Sequence, residues 1–217
     1  MLILPKPPEG ETRMQTETIW NDIYAKGPRT SSGQPGLALS QFAATLHPGR
    51  ALELGCARGD DAVWLARQGW HVTAVDVSSV ALGIAARNAE AAGFADRIRF
   101  ETHDLALSFP EGSFDLVTAS FLHSPQDWPR GAVLARAAKA VAPGGHILIV
   151  EHASRAPWSW SPENTRFPSA HETLTTMQLA PEEWAHRCLC PIARTATGPE
   201  GQIVTVTDNV LFLQRLS

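Results

Sequence analysis

Residues 51–77, ALELGCARGDDAVWLARQGWHVTAVDV, decide the fold. The apolar run 51–54 predicts a buried strand, and the two glycines that follow it mark a tight turn. Residues 61–69 predict a helix, and residues 71–77 predict a second strand. Two short apolar strands on either side of a helix indicate parallel neighbours in one sheet, joined by a right-handed crossover.

The same alternation of strand and helix extends in both directions. Further strands are predicted at 97–102, 114–122 and 146–152, and further helices at 16–27, 36–46, 78–93 and 128–145. Strands that are apolar on both faces are typical of a parallel sheet covered by helices. Two β-like runs on either side of GPEG at 198–201 predict an antiparallel hairpin. We therefore expect an α/β, doubly wound fold.

Composition favours a small molecule as the ligand. The 217 residues carry a net charge of −4, which leaves no basic excess to bind a nucleic acid. No stretch reaches the roughly 20 apolar residues of a membrane helix, so we expect no membrane partner. The odd set of Cys56, Cys188 and Cys190 lacks the spacing of a zinc site. We expect no metal, free reduced thiols and a cytoplasmic location.

Acidic residues follow three successive predicted strands. Glu53, Asp76 and Asp104 lie at or just beyond these strand ends, where open α/β sheets bind their ligands. Asp76 is placed to accept hydrogen bonds from ribose hydroxyls, and Asp104 from an adenine amino group. Gly55 and Gly59 would let a ligand approach the backbone closely. Both NAD and S-adenosylmethionine (SAM) satisfy this pattern.

The turn itself favours SAM. Its GxxxG spacing differs from GxGxxG, and Asp60 and Asp61 add negative charge where a pyrophosphate would lie at the helix N-terminus. A ligand with a positive centre suits these acids better. Alternatively, Asp60 and Asp61 are first-turn acids that stabilise the helix dipole.

Five motifs together resemble those of the class I SAM-dependent methyltransferases: ELGCARG, VTAVDVS, THDL, FDLVTASFLH and VAPGGHILIV. The similarity covers 16–217 and implies a Rossmann-like, seven-stranded sheet, mostly parallel, with a C-terminal antiparallel hairpin strand. The order of IWNDIY, SSGQPG and ATGPEGQIVTVTD is similar to small bacterial methyltransferases near the tellurite-resistance and thiol methyltransferases.

The resemblance implies a SAM site built from four groups of residues. The first group surrounds the methionine and ribose and consists of Glu53, Gly55, Cys56, Ala57 and Gly59, and the second surrounds the ribose and adenine and consists of Asp76, Val77, Asp104 and Leu105. The third group, Ala119 to His123 with Phe121, forms the floor of the pocket. The fourth group, Trp20 and Tyr24, covers it. The family usually has glycine where this chain has Ala57. We therefore expect the turn to avoid a glycine-only conformation there. Asp104 could instead cap a turn, and Trp20 and Tyr24 could only pack their helix on the sheet.

The acceptor side is less sharply defined. His123 follows the fourth strand and either acts as a base or forms a wall of the pocket without chemistry. The remaining candidates for acceptor binding are Arg29, His152, Arg155 and His171. The absence of an NPPY-like sequence after the fourth strand argues against amide-nitrogen acceptors, and we favour a thiol, a chalcogen anion or a hydroxyl.

Two other functions remain open. A non-catalytic SAM-binding regulatory module would bind SAM without turnover. An NAD-dependent oxidoreductase is disfavoured, because the single tyrosine, Tyr24, lies upstream of the sheet. We expect SAM as the cofactor, S-adenosylhomocysteine as its product, and a monomer or homodimer.

We expect one methyltransferase domain over 1–217. Its parts are a loose leader at 1–15, an N-terminal helical cap at 16–46, a SAM-binding core at 47–152, an acceptor-side loop at 153–180, and a helical turn followed by the hairpin at 181–217. The loop at 153–180 is too long for an idle connection, which favours a role in binding.

Overall fold

Seven strands form a single mixed sheet. The structure is a computed structural model that describes residues 12–27, 33–124, 127–159, 162 and 164–216, with the side chains of 12–15 excepted. The strands are β1 (Arg50–Leu54), β2 (His71–Asp76), β3 (Ile98–Thr102), β4 (Phe114–Ser120), β5 (Val141–His152), β6 (Trp184–Thr197) and β7 (Ile203–Arg215). Their order is β3-β2-β1-β4-β5-β7-β6, in which β1 to β5 are parallel and β7 is antiparallel to both of its neighbours. The predicted fold class is confirmed.

Helices cover both faces of this sheet. They are α1 (Thr12–Lys26), α2 (Leu37–Ala43), α3 (Asp60–Arg67), α4 (Ser79–Ala92), α5 (Arg130–Lys139) and α6 (Ala170–Met177). Alternation along the strands divides the core in two. One cluster joins α2, α3 and α4 to Leu116 and Leu148, and the other joins α5 and α6 to Val117 and Ile149. No described helix is long and apolar enough to cross a membrane.

The predicted boundary between α5 and β5 is wrong. The helix was expected to continue to 145, but it ends at Lys139, and β5 begins at Val141. Val141 pairs with Phe114 of β4, and the register shifts before Leu116. Pairing with a neighbouring strand therefore outweighs the local helix propensity of this alanine-rich segment.

Two other expectations need correction. Residues 153–180 are not all loop, because Ser169 and Glu172 form a capping box that begins α6. The cysteines of β6 are not free thiols: Cys188 and Cys190 form a disulfide, with their Cα atoms 5.6 Å apart. Residues i and i+2 of a strand share a face, which brings the two sulfurs together beside a register irregularity.

Candidate functional site

A cavity opens at the carboxyl ends of the parallel strands. The space between its lining residues, including the part open to solvent, is about 600 Å³. It is lined by Thr16, Trp20, Tyr24, Gly55, Asp76, Val77, His103, Asp104, Leu105, Phe121, Leu122, His123, Ser124 and Trp128. Most of the residues predicted to bind SAM are therefore brought together around one space.

The glycine turn has a left-handed backbone at three positions. Gly55, Ala57 and Gly59 have φ values of 72°, 50° and 80°. Ala57 thus lies in the left-handed region that favours glycine, which an alanine can adopt at a cost, so the conformation is not restricted to glycine. At Gly59 an added Cβ would lie 3.0 Å from the Cβ of Ala85 in α4. Close helix packing, as well as backbone conformation, therefore requires Gly59.

Asp76 links this turn to the cavity. Its Oδ2 accepts from the Ala57 N–H at 3.0 Å, and its Oδ1 accepts from the Ser78 N–H at 2.9 Å. Burial raises the pKa of Asp76, and the hydrogen bonds from the backbone oppose that rise. Each carboxylate oxygen has a second lone pair, so Asp76 can still accept hydrogen bonds from a ligand diol.

Glu53 lies beneath the turn and is 6% exposed. Its Oε2 has no hydrogen-bond partner among the described residues. Burial raises the pKa of Glu53 well above its usual range, and the nearby charges of Asp61 and Asp76 raise it further. Buried polar atoms in proteins nearly always have partners, so a cationic donor from a ligand fits this oxygen.

Asp60 and Asp61 bind the segment that precedes α2. The Gly33 N–H donates to Asp60 Oδ1 at 2.8 Å, and the Gly36 N–H donates to Asp61 Oδ1 at 2.7 Å. Ser120 at the end of β4 donates to the other oxygen of Asp61 at 3.3 Å. These carboxylates therefore fasten residues 33–36 over the sheet edge, a role that neither of the sequence interpretations included.

The helix α1 covers the cavity with Trp20 and Tyr24, whose ring centroids are 6.1 Å apart. It is held by polar contacts that sequence reasoning missed. Asn21 Oδ1 accepts from the Ser78 hydroxyl at 2.7 Å and from the Val80 N–H at 3.1 Å. These contacts fix α1 to the first turn of α4. In the sequence, the position of Asn21 between Trp20 and Tyr24 is the one feature that could have indicated these polar contacts.

Asp104, which the sequence predicts to border the adenine, takes part in two kinds of contact. It lines the cavity, and its Oδ1 also accepts from the Ala106 N–H at 3.1 Å, so it caps a turn as well. His103 was missed, although it immediately precedes Asp104. Its ring nitrogens contact Ser108 Oγ at 2.9 Å and Glu101 Oε2 at 3.0 Å, which fixes the ring against the cavity.

The part of the cavity next to the end of β4 contains aromatic rings. His123 lines the cavity, and burial, followed by the charges of Arg130 and His152, lowers its pKa to about 4. Phe121 has a positive φ of 52°, and its ring stacks on His152 with centroids 4.4 Å apart. The rings of His123 and His152 are 6.2 Å apart and nearly parallel. His152 thus lies one ring behind the cavity lining.

Two charged clusters behind these rings were missed. In the first, Arg130 pairs with the buried Glu151, which also accepts from the Thr173 hydroxyl at 2.6 Å. In the second, Asp208 accepts from Arg194 Nε at 2.5 Å and lies 3.6 Å from His152 Nδ1. Their partners come from distant parts of the chain, so no local pattern indicated them.

Several predicted residues lie away from the cavity lining. Ala119 is fully buried in the core on the α5 side, and Cys56 is buried in the other core cluster. The Arg155 guanidinium donates to the Ser159 carbonyl at 2.9 Å, and His171 is exposed on α6. Arg29 lies outside the described residues.

Part of the chain resembles known methyltransferases. Residues 51–145 match the family described as methyltransferase domain. Over 108 residues the chain is 37% identical to a demethylmenaquinone methyltransferase of Thermus thermophilus, covering 48% of this chain and 47% of that protein. Over 111 residues it is 33% identical to a ubiquinone biosynthesis O-methyltransferase of Pectobacterium carotovorum, covering 51% and 46%. The chain thus spans about half the length of these relatives.

A solved structure is similar over a longer stretch. It comes from work on the conversion of a disulfide bond into a thioacetal group during echinomycin biosynthesis. It has a TM-score of 0.70 at 25% identity and covers 92% of each chain. The matched domain, the relatives and the sheet order together support the classification of this chain as a class I SAM-dependent methyltransferase.

Proposed function

We propose that this protein transfers the methyl group of SAM to a sulfur, selenium, tellurium or oxygen atom of a small-molecule acceptor. The observation that carries the proposal is the presence of two buried carboxylates near each other at this sheet edge. Asp76 lines the cavity, and Glu53 has a buried oxygen without a partner among the described residues. The two carboxylates match a ligand that has a ribose at one point and an ammonium group at another.

The residues in and beside the cavity fit SAM in three places. Asp76 would accept from the ribose hydroxyls, while Val77, Asp104 and Leu105 would border the adenine. Glu53 would accept from the ammonium group of the methionine portion. When bound, SAM supplies an electrophilic methyl group on a sulfonium, and the reaction leaves S-adenosylhomocysteine.

The protein contributes to the reaction by orienting the two reactants relative to each other. Methyl transfer is an in-line displacement, and orientation of two reactants can lower a barrier by roughly 7 to 11 kcal/mol. Trp20 and Tyr24 would exclude water from above, and residues 33–36, fastened by Asp60 and Asp61, would close the side near the methionine. Burial raises the pKa of Tyr24, so its hydroxyl stays neutral and can donate to a ligand.

The lining of the acceptor side supports an aromatic or otherwise apolar acceptor without net positive charge. Phe121, Leu122 and Trp128 contribute apolar surface, and His123 is neutral at physiological pH because its pKa is low. One relative is named as a ubiquinone biosynthesis O-methyltransferase, which is a name for methyl transfer to oxygen. The similar solved structure comes from work on the formation of a thioacetal group, which contains sulfur. The narrower similarity to tellurite-resistance and thiol methyltransferases stays a prediction.

Calorimetry with SAM, S-adenosylhomocysteine and NAD tests the proposal, followed by transfer of labelled methyl groups to thiols, selenite, tellurite, phenols and amines. We expect SAM and S-adenosylhomocysteine to bind, NAD not to bind, and Asp76→Ala to abolish SAM binding. Tight SAM binding without transfer to any acceptor would favour the regulatory module instead. Unchanged SAM affinity in Asp76→Ala would contradict the site itself.

A further inference from the structure

A groove opens at the amino ends of β1, β2 and β3, at the opposite end of the sheet from the cavity. The space between its lining residues, including the part open to solvent, is about 640 Å³. Its polar lining residues are Arg50, His71, Thr73, Asp96, Arg97 and Arg99. Three arginines therefore border one space, and Asp96 is the single acid in the described lining.

The register of the sheet directs four of these side chains to the same face. Arg50 is the partner of His71, and Thr73 is the partner of Arg99. Partners in neighbouring parallel strands point the same way, and so do His71 and Thr73, which are two residues apart in β2. Val75, the next residue on that face, belongs to the core cluster on the α5 side. The helices α3 and α4 pack on β2 and β3 from the other face, so the groove lies on the side that these helices do not cover.

The guanidinium groups at the groove are held in place and still have donors available. Arg97 Nη1 donates to a backbone carbonyl at 3.2 Å, and Arg99 Nη2 pairs with Glu101 at 2.7 Å. The Arg50 guanidinium lies over the Phe114 ring, 5.2 Å from its centroid. A guanidinium carries five N–H donors, so these contacts leave donors for a ligand. Arg50 and Arg97 take part in none of the ion pairs among the described residues, so their positive charge is available to an anion.

The hydroxyl of Thr73 is a second observation that points to a ligand. Thr73 lines the groove although the residue is only 7% exposed, and its hydroxyl has no hydrogen-bond partner among the described residues. Buried polar groups in proteins nearly always have a partner. A hydroxyl can donate to an oxygen of an anion, as can the guanidinium of its register partner Arg99. A ligand rich in acceptor oxygens would therefore satisfy both kinds of group.

We propose that this groove binds a small phosphorylated molecule through its phosphate or diphosphate group, at a site separate from the cavity. A phosphate group offers three strong acceptor oxygens, and the planar fork of arginine matches it well. The described lining contains no Phe, Tyr or Trp side chain on which a nucleobase could stack, which argues against a single-stranded nucleic acid. The net charge of −4 for the whole chain also disfavours a long polyanion, whereas a small anion meets only the local charge of the groove.

Calorimetry with inorganic pyrophosphate in phosphate-free buffer tests the site on the intact chain. Arg99→Gln removes an exposed guanidinium and should weaken pyrophosphate binding about 10-fold or more, the usual effect of losing a hydrogen bond between charged groups. Thr73→Val removes the hydroxyl at nearly constant volume and should weaken binding about 2 to 10-fold. In amide NMR spectra of the wild type, pyrophosphate should shift the signals of Val72 and Thr73. Absence of binding, or of these shifts, would overturn the inference.

Controls separate a built site from general attraction of anions. Arg187→Gln removes the same charge from an exposed arginine of β6 that contacts Gln214, and it should bind pyrophosphate as the wild type does. Saturating S-adenosylhomocysteine should leave the pyrophosphate affinity unchanged, because the groove and the cavity lie at opposite ends of the sheet. Equal losses in Arg187→Gln and Arg99→Gln, or competition by S-adenosylhomocysteine, would overturn the inference. Binding to vesicles of phosphatidic acid without binding of pyrophosphate would replace the small ligand by a membrane surface and overturn it too. The proposed function does not depend on these outcomes.

Discussion

Arg130 and Glu151 form an ion pair in which the carboxylate is completely buried. Arg130 Nε also donates to the Leu122 carbonyl at 2.9 Å, and Glu151 accepts from the Thr173 hydroxyl. The pair thus connects the segment after β4, which lines the cavity, to α5, β5 and α6. It lies on the face of the sheet opposite His152, because neighbouring residues of a strand point to opposite faces.

Arg130→Met should destabilise the protein severely. It would leave the Glu151 carboxylate buried without its cation, and breaking such a pair typically costs about 3 to 5 kcal/mol. The free energy of unfolding in urea measures this change. Because the Leu122 carbonyl also loses its donor, any folded fraction should show a shifted His123 resonance.

The matched control is Arg166→Met. Arg166 pairs with Glu172 at the surface, where both side chains are exposed. Surface pairs contribute little to stability, and the capping box formed by Ser169 and Glu172 remains. Equal losses of stability in Arg130→Met and Arg166→Met would show that burial of Glu151 is unimportant.

Glu53→Gln should stabilise the protein without ligand, by an amount that increases with pH. The pKa of Glu53 is raised in the folded protein, so the folded state binds this proton more tightly than the unfolded state. The associated stability is present at low pH and is lost as the pH rises above the usual value of 4.5. The melting-temperature difference between Glu53→Gln and wild type, measured from acidic to alkaline pH, should therefore grow.

The same substitution should weaken SAM binding. Hydrogen bonds to charged groups contribute about 1.5 to 3 kcal/mol, which corresponds to roughly 10 to 100-fold in affinity. Binding of an ammonium group would also expel the proton from Glu53. Calorimetry in buffers of different ionisation enthalpy should detect proton release in wild type and none in Glu53→Gln. Equal proton release in both proteins would place the ammonium group elsewhere.

Asp60→Ala and Asp61→Ala should each expose one amide. Asp60 accepts from the Gly33 N–H and Asp61 from the Gly36 N–H, so the two variants should speed hydrogen exchange at different glycines. Amide exchange resolved by NMR measures both. Accelerated exchange throughout α3 in either variant would instead indicate that the acid mainly supports that helix.

The sequence predicts the strands of this sheet well because their apolar character is local. β1 and β2 were placed within one residue, and Ser78 was identified as the cap of α4. The start of β5 was missed because Val141 is a strand residue only through its pairing with Phe114 of β4. Local patterns cannot contain that information.

The residues of the candidate site also differ in whether local sequence is enough to predict them. Asp76 and Asp104 could be found from sequence because each comes directly after a strand, and parallel strands end at one sheet edge. Asp208 could not be found, because its position beside His152 depends on β7 entering the sheet between β5 and β6. Charged residues of a hairpin carry no signal until the register of that hairpin is known.

Ala57→Gly should stabilise the protein. Ala57 has a φ of 50°, and a residue with a Cβ loses roughly 1 to 2 kcal/mol in the left-handed region. Glycine removes that cost but increases the entropy of the unfolded chain by about 0.4 to 1 kcal/mol. The net gain is about 0.5 to 1 kcal/mol, which corresponds to a rise of about 1 to 4 °C in Tm.

The control for this substitution is Ala91→Gly, at an exposed position of α4. The backbone there is helical, so the same change should cost about 1 kcal/mol. The Ala57 N–H donates to Asp76, and glycine keeps that donor, so the SAM affinity of Ala57→Gly should not fall. Opposite shifts of Tm in the two variants would establish that the left-handed turn strains Ala57. Equal losses would mean that the turn has another conformation in solution, and the geometry around Asp76 would then have to change with it.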